Sequence, residues 1–201
     1  MNIAIFASGQ GSNFLAIIKA FKKRKTDGKI ALLVCDNPQA EVISRAKRIG
    51  IKTALVQREN FSSRKDFEKE ITGNLKNNNI ELIVLAGFMR LLSPEFVKLY
   101  AGRIINIHPS LLPAFKGEHG IRDAFDYGAK ITGVTVHFVD EKMDHGPIIL
   151  QGIVEIKERD TLESLESKIH KLEHKLYPRA IRLFQAGKLR VSGRKTQIAI
   201  Q

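Results

Sequence analysis

Five short apolar runs alternate with longer stretches of helical periodicity in the first half of the chain. No other feature constrains the fold as much. "NIAIFA" (2–7) precedes "SNFLAIIKAFKKRK" (12–25), and "KIALLVC" (29–35) precedes "AEVISRAKRIG" (40–50). "KTALV" (52–56) precedes "SRKDFEKEITGNLKNN" (63–78), and "IELIVLAG" (80–87) precedes "SPEFVKLYAG" (93–102). "RIINIH" (103–108) closes the series. Runs that are apolar throughout suit strands covered on both faces, and helices between them supply the parallel crossovers. The predicted class is α/β: a Rossmann-like open sheet, mostly parallel, with helices on both faces.

The second half is less regular. "ITGVTVHFV" (131–139) and "PIILQGIVEI" (147–156) alternate like antiparallel neighbours joined by the acidic loop "DEKMDHG". A long helix is predicted over 160–187, with Thr161 near its start, Gly187 near its end, and Pro178 bending or dividing it. "KLRVS" reads as a last strand and 193–201 as a tail.

At 201 residues the chain suits one core and one domain, expected over 1–192. No run reaches the roughly 18 apolar residues that cross a bilayer, and the start reads as a strand and not as a signal peptide. The single cysteine, Cys35, ends an apolar run and is expected in the core; the reducing cytoplasm fits this usage. The net charge of +12 points to anionic partners, either phosphorylated or polycarboxylate small molecules or nucleic acid. The densest basic run, "KAFKKRK" (19–25), falls at a helix end, where cations complement the dipole. No nucleic-acid signature accompanies it, so neither nucleic acid nor membrane is expected as a partner.

Two turns carry candidate chemistry. In "ASGQGSN", between the first strand and first helix, Gly9 and Gly11 permit close backbone approach. Ser12 and Asn13 suit a helix start, and a helix start binds phosphate. A dinucleotide fingerprint requires a third glycine where Phe14 stands, although Asp36 occupies the place of a ribose-binding acid. The Walker pattern also fails, which leaves a single phosphate, as on a mononucleotide. In "NIHPSLLP", Asn106 and His108 lie two apart at a strand end and point the same way. One can donate to an oxyanion and the other can carry a proton near neutral pH. Asp144, in the acidic loop, would favour the charged imidazole if the fold brought it near. His137 and His145 read as structural or peripheral.

The segments "SGQGSN", "FSSRKDFE", "IVLAGFMRLLSP", "INIHPSLLP", "TGVTVHFVDEKMDHGPIILQ" and "LEHKLYP" together resemble the phosphoribosylglycinamide formyltransferase family of folate-dependent, purine-synthesis enzymes. The resemblance runs from residue 8 to 178 in the family's order, and the "SGxGSN" turn separates this family from related formyltransferases. It implies the formyltransferase fold, with antiparallel C-terminal strands. It also implies a phosphate-binding N-terminal half (about 1–100) and a folate-binding and catalytic C-terminal half (about 101–192).

The implied reaction is transfer of the formyl group of 10-formyltetrahydrofolate to the primary amine of glycinamide ribonucleotide, with no metal. Asn106, His108 and Asp144 are the implied catalytic residues. Gly11, Ser12 and Asn13 would hold the phosphate, and Glu173 would contact the ribonucleotide. Arg64, Met89, Arg90, Leu91, Leu92, Asn106, Asp140, Glu141 and Asp144 would bind folate. Asp144 would raise the His108 pKa and organise a proton-shuttling water. A cis Leu112–Pro113 bond is also implied, while "AFKGEHGIRDAFDYG" (114–128) follows the family loosely and "EHGIR" within it does not map onto the family's pattern. A monomer or homodimer is expected. The rivals are a formyl hydrolase or a transferase with another amine acceptor, and a non-enzymatic nucleotide-binding module. Those hydrolases carry an N-terminal domain and the tRNA transferases a C-terminal one, and both are expected to be missing here.

Overall fold

The computed structural model describes residues 1–23 and 28–199. Arg24 and Lys25 of the expected first helix, and the last two residues of the expected tail, lie outside the described residues. The chain forms two compact units, Met1–Ile105 and Asn106–Gln201.

In the first unit, strands β1 (Asn2–Phe6), β2 (Lys29–Cys35), β3 (Lys52–Leu55) and β4 (Ile80–Leu85) lie in the order β3-β2-β1-β4. Every pairing among these four is parallel, with Ile5 opposite Leu33 on one side and Val84 on the other. Ile3, Ala4, Ile5 and Phe6 are all fully buried. Successive side chains of a strand face opposite ways, so both faces are covered. Each large apolar side chain buried this way contributes roughly 1.5–3 kcal/mol. Helices α1 (Ser12–Lys23), α2 (Glu41–Arg48), α3 (Arg64–Asn77) and α4 (Pro94–Leu99) supply the cover. Ser63 caps α3 by accepting from the Asp66 N–H at 3.1 Å, and Ser93 caps α4 by accepting from the Phe96 N–H at 3.1 Å. Cys35 is buried, burial pushes its thiol pKa up, and its role is packing, as expected.

β5 (Ile104–His108) passes from the first unit into the second. The second unit holds α5 (Gly120–Asp126), β6 (Ile131–Phe138), β7 (Ile148–Glu155), α6 (Leu162–Gln185), β8 (Leu189–Ser192) and β9 (Lys195–Ile198). β6 and β7 pair antiparallel, with Thr135 opposite Gln151, and α6 packs on both. The class is the expected one, with parallel strands first and antiparallel C-terminal pairs.

The structure narrows one expectation and corrects another. Of the two effects expected of Pro178, division is not found: α6 runs unbroken over 24 residues. A capping box of Thr161 and Ser164 secures its start, and Leu165, Ile169, Tyr177 and Ile181 are buried along it. Packing of that face outweighs one missing N–H. The tail is also not a tail: Lys195–Ile198 is a strand paired antiparallel with β8 and, at Lys195 opposite Ile148, parallel with β7. Gly193, at φ +56, makes the two-residue turn that a hairpin needs.

Candidate active site

The turn after β1 lies in the first unit. The Leu15 N–H donates to the Gly11 carbonyl at 3.1 Å, the first bond of the α1 ladder. Ser12 and Asn13 therefore open the helix, and its first N–H groups precede the i→i−4 ladder, as an anion site requires. Gly11 has φ +76, and a Cβ there would lie 2.5 Å from Val42 Cγ2. The glycine thus serves the packing of α2 as well as the turn.

Asp36, in the place of a ribose-binding acid, is committed within the protein. It accepts from the Ser8 hydroxyl at 2.5 Å and from Arg90 Nε at 2.8 Å. Both of its oxygens thus already hold protein donors, which counts further against the dinucleotide reading. Met89 and Leu91 project from the loop after β4, 71% and 68% exposed. Arg64 donates to the Leu91 carbonyl and, at 3.3 Å, to Glu68. It lines a cavity of about 580 Å³ with Glu68, Thr72, Ser93 and Phe96.

The second unit gathers the ionisable cluster. Asn106 and His108 stand two apart on β5, and His108 is 3% exposed. His108 Nε2 lies 2.7 Å from the Phe115 carbonyl, and Nδ1 lies 3.4 Å from Asp144 Oδ2. A carbonyl only accepts, so Nε2 carries the proton of the neutral ring and Nδ1 turns its lone pair towards the carboxylate. Asp144 accepts from the Gly117 N–H at 2.9 Å and adopts φ +47, a conformation that aspartate tolerates. Burial pushes the Asp144 carboxyl up, but the His137 ring, the Gly117 N–H and His108 outweigh it, and the pKa falls below the ordinary value.

Burial pulls the His108 imidazole down. Asp144 and the Phe115 carbonyl pull it up without overcoming burial, and His137 adds to the fall. Asp144 acts in the expected direction, raising the pKa, but burial outweighs it and the net shift is downward.

Of the two readings of His137, structural or peripheral, its burial excludes the second. It is buried in the cluster, with Nε2 at 3.3 Å from Asn106 Nδ2 and 3.7 Å from Asp144 Oδ1. Its Nδ1 lies 2.7 Å from the carbonyl of its neighbour Phe138, and its Nε2 faces both the Asn106 amide and Asp144 Oδ1. His145 stays peripheral, bound to Asp140 Oδ2 at 2.7 Å and to Arg194. Glu141 is exposed in the same loop. Glu173 is buried on α6, one turn before the buried Tyr177; burial and then Glu173 push that phenol well up.

The "HPSLLP" segment is pinned by side chains of β6 and β7. The Thr135 hydroxyl donates to the Ser110 carbonyl at 2.7 Å and accepts from the Leu112 N–H at 3.0 Å. Gln151 donates to the Leu112 carbonyl at 3.0 Å. The Leu112–Pro113 bond is cis. The stretch that followed the family loosely wraps the imidazole: Phe115 and Gly117 contribute main-chain groups, and a Cβ on Gly120 would sit 3.2 Å from His108 Nε2. Sequence reasoning missed these because a main-chain carbonyl or N–H leaves no residue-type signal. Among the described residues, no group of three or more His, Cys, Asp or Glu side chains is arranged to hold a metal. No described helix is long and apolar enough to cross a membrane.

A buried imidazole facing a carboxylate, with an amide beside it, is an arrangement that can carry a proton and donate to an oxyanion. The chain belongs to the formyl transferase family, whose model matches residues 1–181. It is 51% identical over 179 residues to the phosphoribosylglycinamide formyltransferase of Bacillus subtilis, covering 89% of this chain and 92% of that protein. It is 40% identical to the trifunctional purine biosynthetic protein adenosine-3 of Gallus gallus, covering 95% of this chain but 19% of that longer protein. The crystal structure of glycinamide ribonucleotide transformylase 1 from Symbiobacterium toebii superposes with a TM-score of 0.96 at 38% identity, covering 100% of this chain and 94% of that one.

Proposed function

We infer that the protein transfers the formyl group of 10-formyltetrahydrofolate to the primary amine of N1-(5-phospho-D-ribosyl)glycinamide. The products are the N-formyl ribonucleotide and tetrahydrofolate, in de novo purine synthesis. The observation that carries this reading is the cluster of Asn106, His108 and Asp144, in a chain half identical to a phosphoribosylglycinamide formyltransferase.

The amine attacks the formyl carbon and the carbonyl oxygen becomes an oxyanion. Asn106, its amide 3.3 Å from His137 Nε2, donates to that oxygen. A C–N bond forms to the amine, the bond from the formyl carbon to N10 breaks, the amine loses a proton and N10 gains one. His108 begins neutral. Its Nδ1 takes up the proton that the amine loses, Asp144, 3.4 Å away, stabilises the imidazolium, and the same proton passes on to N10 as its bond to the formyl carbon breaks. A water held by Asp144 relays the amine proton. No covalent enzyme intermediate and no metal enter this scheme.

Gly11, Ser12 and Asn13 hold the ribonucleotide phosphate at the α1 start, and Glu173 contacts the same substrate. Arg64 and the Met89–Leu92 loop take the folate, with the loop from Asp140 to Asp144 as the other folate-binding segment. The test is deformylation of 10-formyltetrahydrofolate by the purified protein, with and without glycinamide ribonucleotide. Formylated ribonucleotide, formed only when the acceptor is present, is the expected result. Formate release without acceptor assigns a hydrolase instead, and no turnover by folded protein overturns the enzymatic reading.

A further inference from the structure

Two buried carboxylates of the first unit take no part in the scheme above, and both end on one loop. Asp36 is 5% exposed and follows β2; Glu68 is 6% exposed and lies on α3. Asp36 binds Arg90 directly, at 2.8 Å from Nε. It also accepts from the Ser8 hydroxyl, whose oxygen in turn accepts from the Met89 N–H at 3.1 Å. Glu68 accepts from the Ser93 N–H at 2.7 Å and from the Ser93 hydroxyl. It also binds Arg64, which donates to the Leu91 carbonyl.

The segment so tied contains no helix or strand between Leu85 and Pro94. Phe88 packs edge-on against Phe6, with ring centroids 5.2 Å apart, and anchors its start. Beyond that anchor, Met89 and Leu91 point outward. A loop usually repays its ordering entropy by burying apolar side chains. Here Met89 and Leu91 are held out, and charge-assisted hydrogen bonds to buried acids hold the loop beside the Phe88 anchor. Such an arrangement preorganises an apolar surface for a ligand.

We propose that Asp36 and Glu68 are positioning residues for folate, fixing the Met89–Leu92 loop in its ligand-binding shape from its two ends. This rests on the reading that the loop lines the folate site. If an unpinned loop holds that shape about a tenth of the time, apparent affinity falls about tenfold, and saturating ligand restores the rate.

The experiment is steady-state kinetics of Glu68→Gln and Asp36→Asn, with Leu91→Ala as the control for the loop and urea midpoints as the check on folding. Ser8→Ala, which removes the hydroxyl bridge between Asp36 and Met89 but leaves the Asp36–Arg90 bond, is the mild variant should Asp36→Asn fail to fold. The expected result in each acid variant is a KM for formylfolate raised about tenfold with kcat retained. In Glu68→Gln the ribonucleotide KM stays unchanged. Tryptic cleavage at the Arg90–Leu91 bond should also accelerate, a readout independent of turnover. If Leu91→Ala raises the folate KM but the acid variants do not, the inference is wrong while the loop still binds folate. If Leu91→Ala leaves the folate KM unchanged, the folate reading of the loop fails and takes the inference with it. A loss of urea stability alone, with wild-type KM and proteolysis, also overturns it.

Discussion

Asp36 and Asp144 are both aspartates with buried side chains, one in each unit, and their surroundings are of opposite kinds. Asp36 meets a hydroxyl at 2.5 Å and a guanidinium that never loses its charge. Asp144 accepts one backbone N–H and faces two imidazoles at 3.4 and 3.7 Å. Permanent donors hold a structure in place. Titratable neighbours let a carboxylate answer to a proton that comes and goes. Burial alone therefore does not mark a catalytic acid; the protonation options of its partners do.

The sharpest way to break this comparison is Asp144→Asn, which keeps shape and tolerates the left-handed backbone. Turnover should fall roughly 10²–10⁴-fold, the usual contribution of general acid–base catalysis, while ribonucleotide binding by calorimetry stays near wild type. Normal turnover with collapsed binding would make Asp144 a structural residue like Asp36. Asn106→Ala should follow, with kcat lowered about 10²–10³-fold, the range for one lost oxyanion donor.

The first unit should respond in stability before it responds in chemistry. Gly11→Ala places a methyl against Val42 at a backbone angle that alanine resists. We expect a loss on the order of 1–2 kcal/mol from the left-handed conformation, and roughly 1–3 kcal/mol more from overpacking. Val42→Ala in the same chain should recover part of the second loss but none of the first, as read by urea denaturation. Equal stability of wild type and Gly11→Ala would remove the packing role and leave the turn to phosphate alone.

A smaller effect distinguishes the second unit by pH. His108 has a folded pKa below its ordinary value, chiefly through burial, and so does His174. The unfolded chain then binds more protons at mildly acid pH. The stability associated with neutral burial is complete above about pH 6.5 and erodes as pH falls from there towards the folded values. The urea midpoint should drop between about pH 7.5 and 5.5, and should drop less in His108→Gln, which retains His174. Asp144, whose pKa is depressed, acts in a separate window: its contribution is present above about pH 3.8 and is lost below that.

What the sequence revealed follows from which physics leaves a residue-type trace. The parallel strands were legible because full burial writes uninterrupted apolar runs, as in Ile3 to Phe6. Asn106 and His108 were legible because a polar pair at a strand end contradicts that pattern. His137 was not, because a histidine within an alternating strand has the same letter whether it only packs or also faces a site amide. Phe115 and Gly117 act through the main chain, which no letter records. The strand at Lys195–Ile198 was hidden by its charge: an exposed hairpin needs turn geometry, here Gly193, more than apolar residues.

The smallest expected effect returns to the first unit, one residue from Asp36. Cys35 is fully buried, and its Sγ contacts the Asn37 carbonyl at 3.3 Å. Burial raises its thiol pKa, the wrong direction for a nucleophile. Cys35→Ala deletes a single heavy atom and should cost on the order of 1 kcal/mol as a small cavity. Turnover should be unchanged, and the variant should match wild type in the presence of a thiol alkylator that cannot reach the core. If Cys35→Ala instead raised the folate KM, the effect would have travelled through the adjacent Asp36. The contrast between holding acids and proton-handling acids would then extend to the strand that carries the holding one.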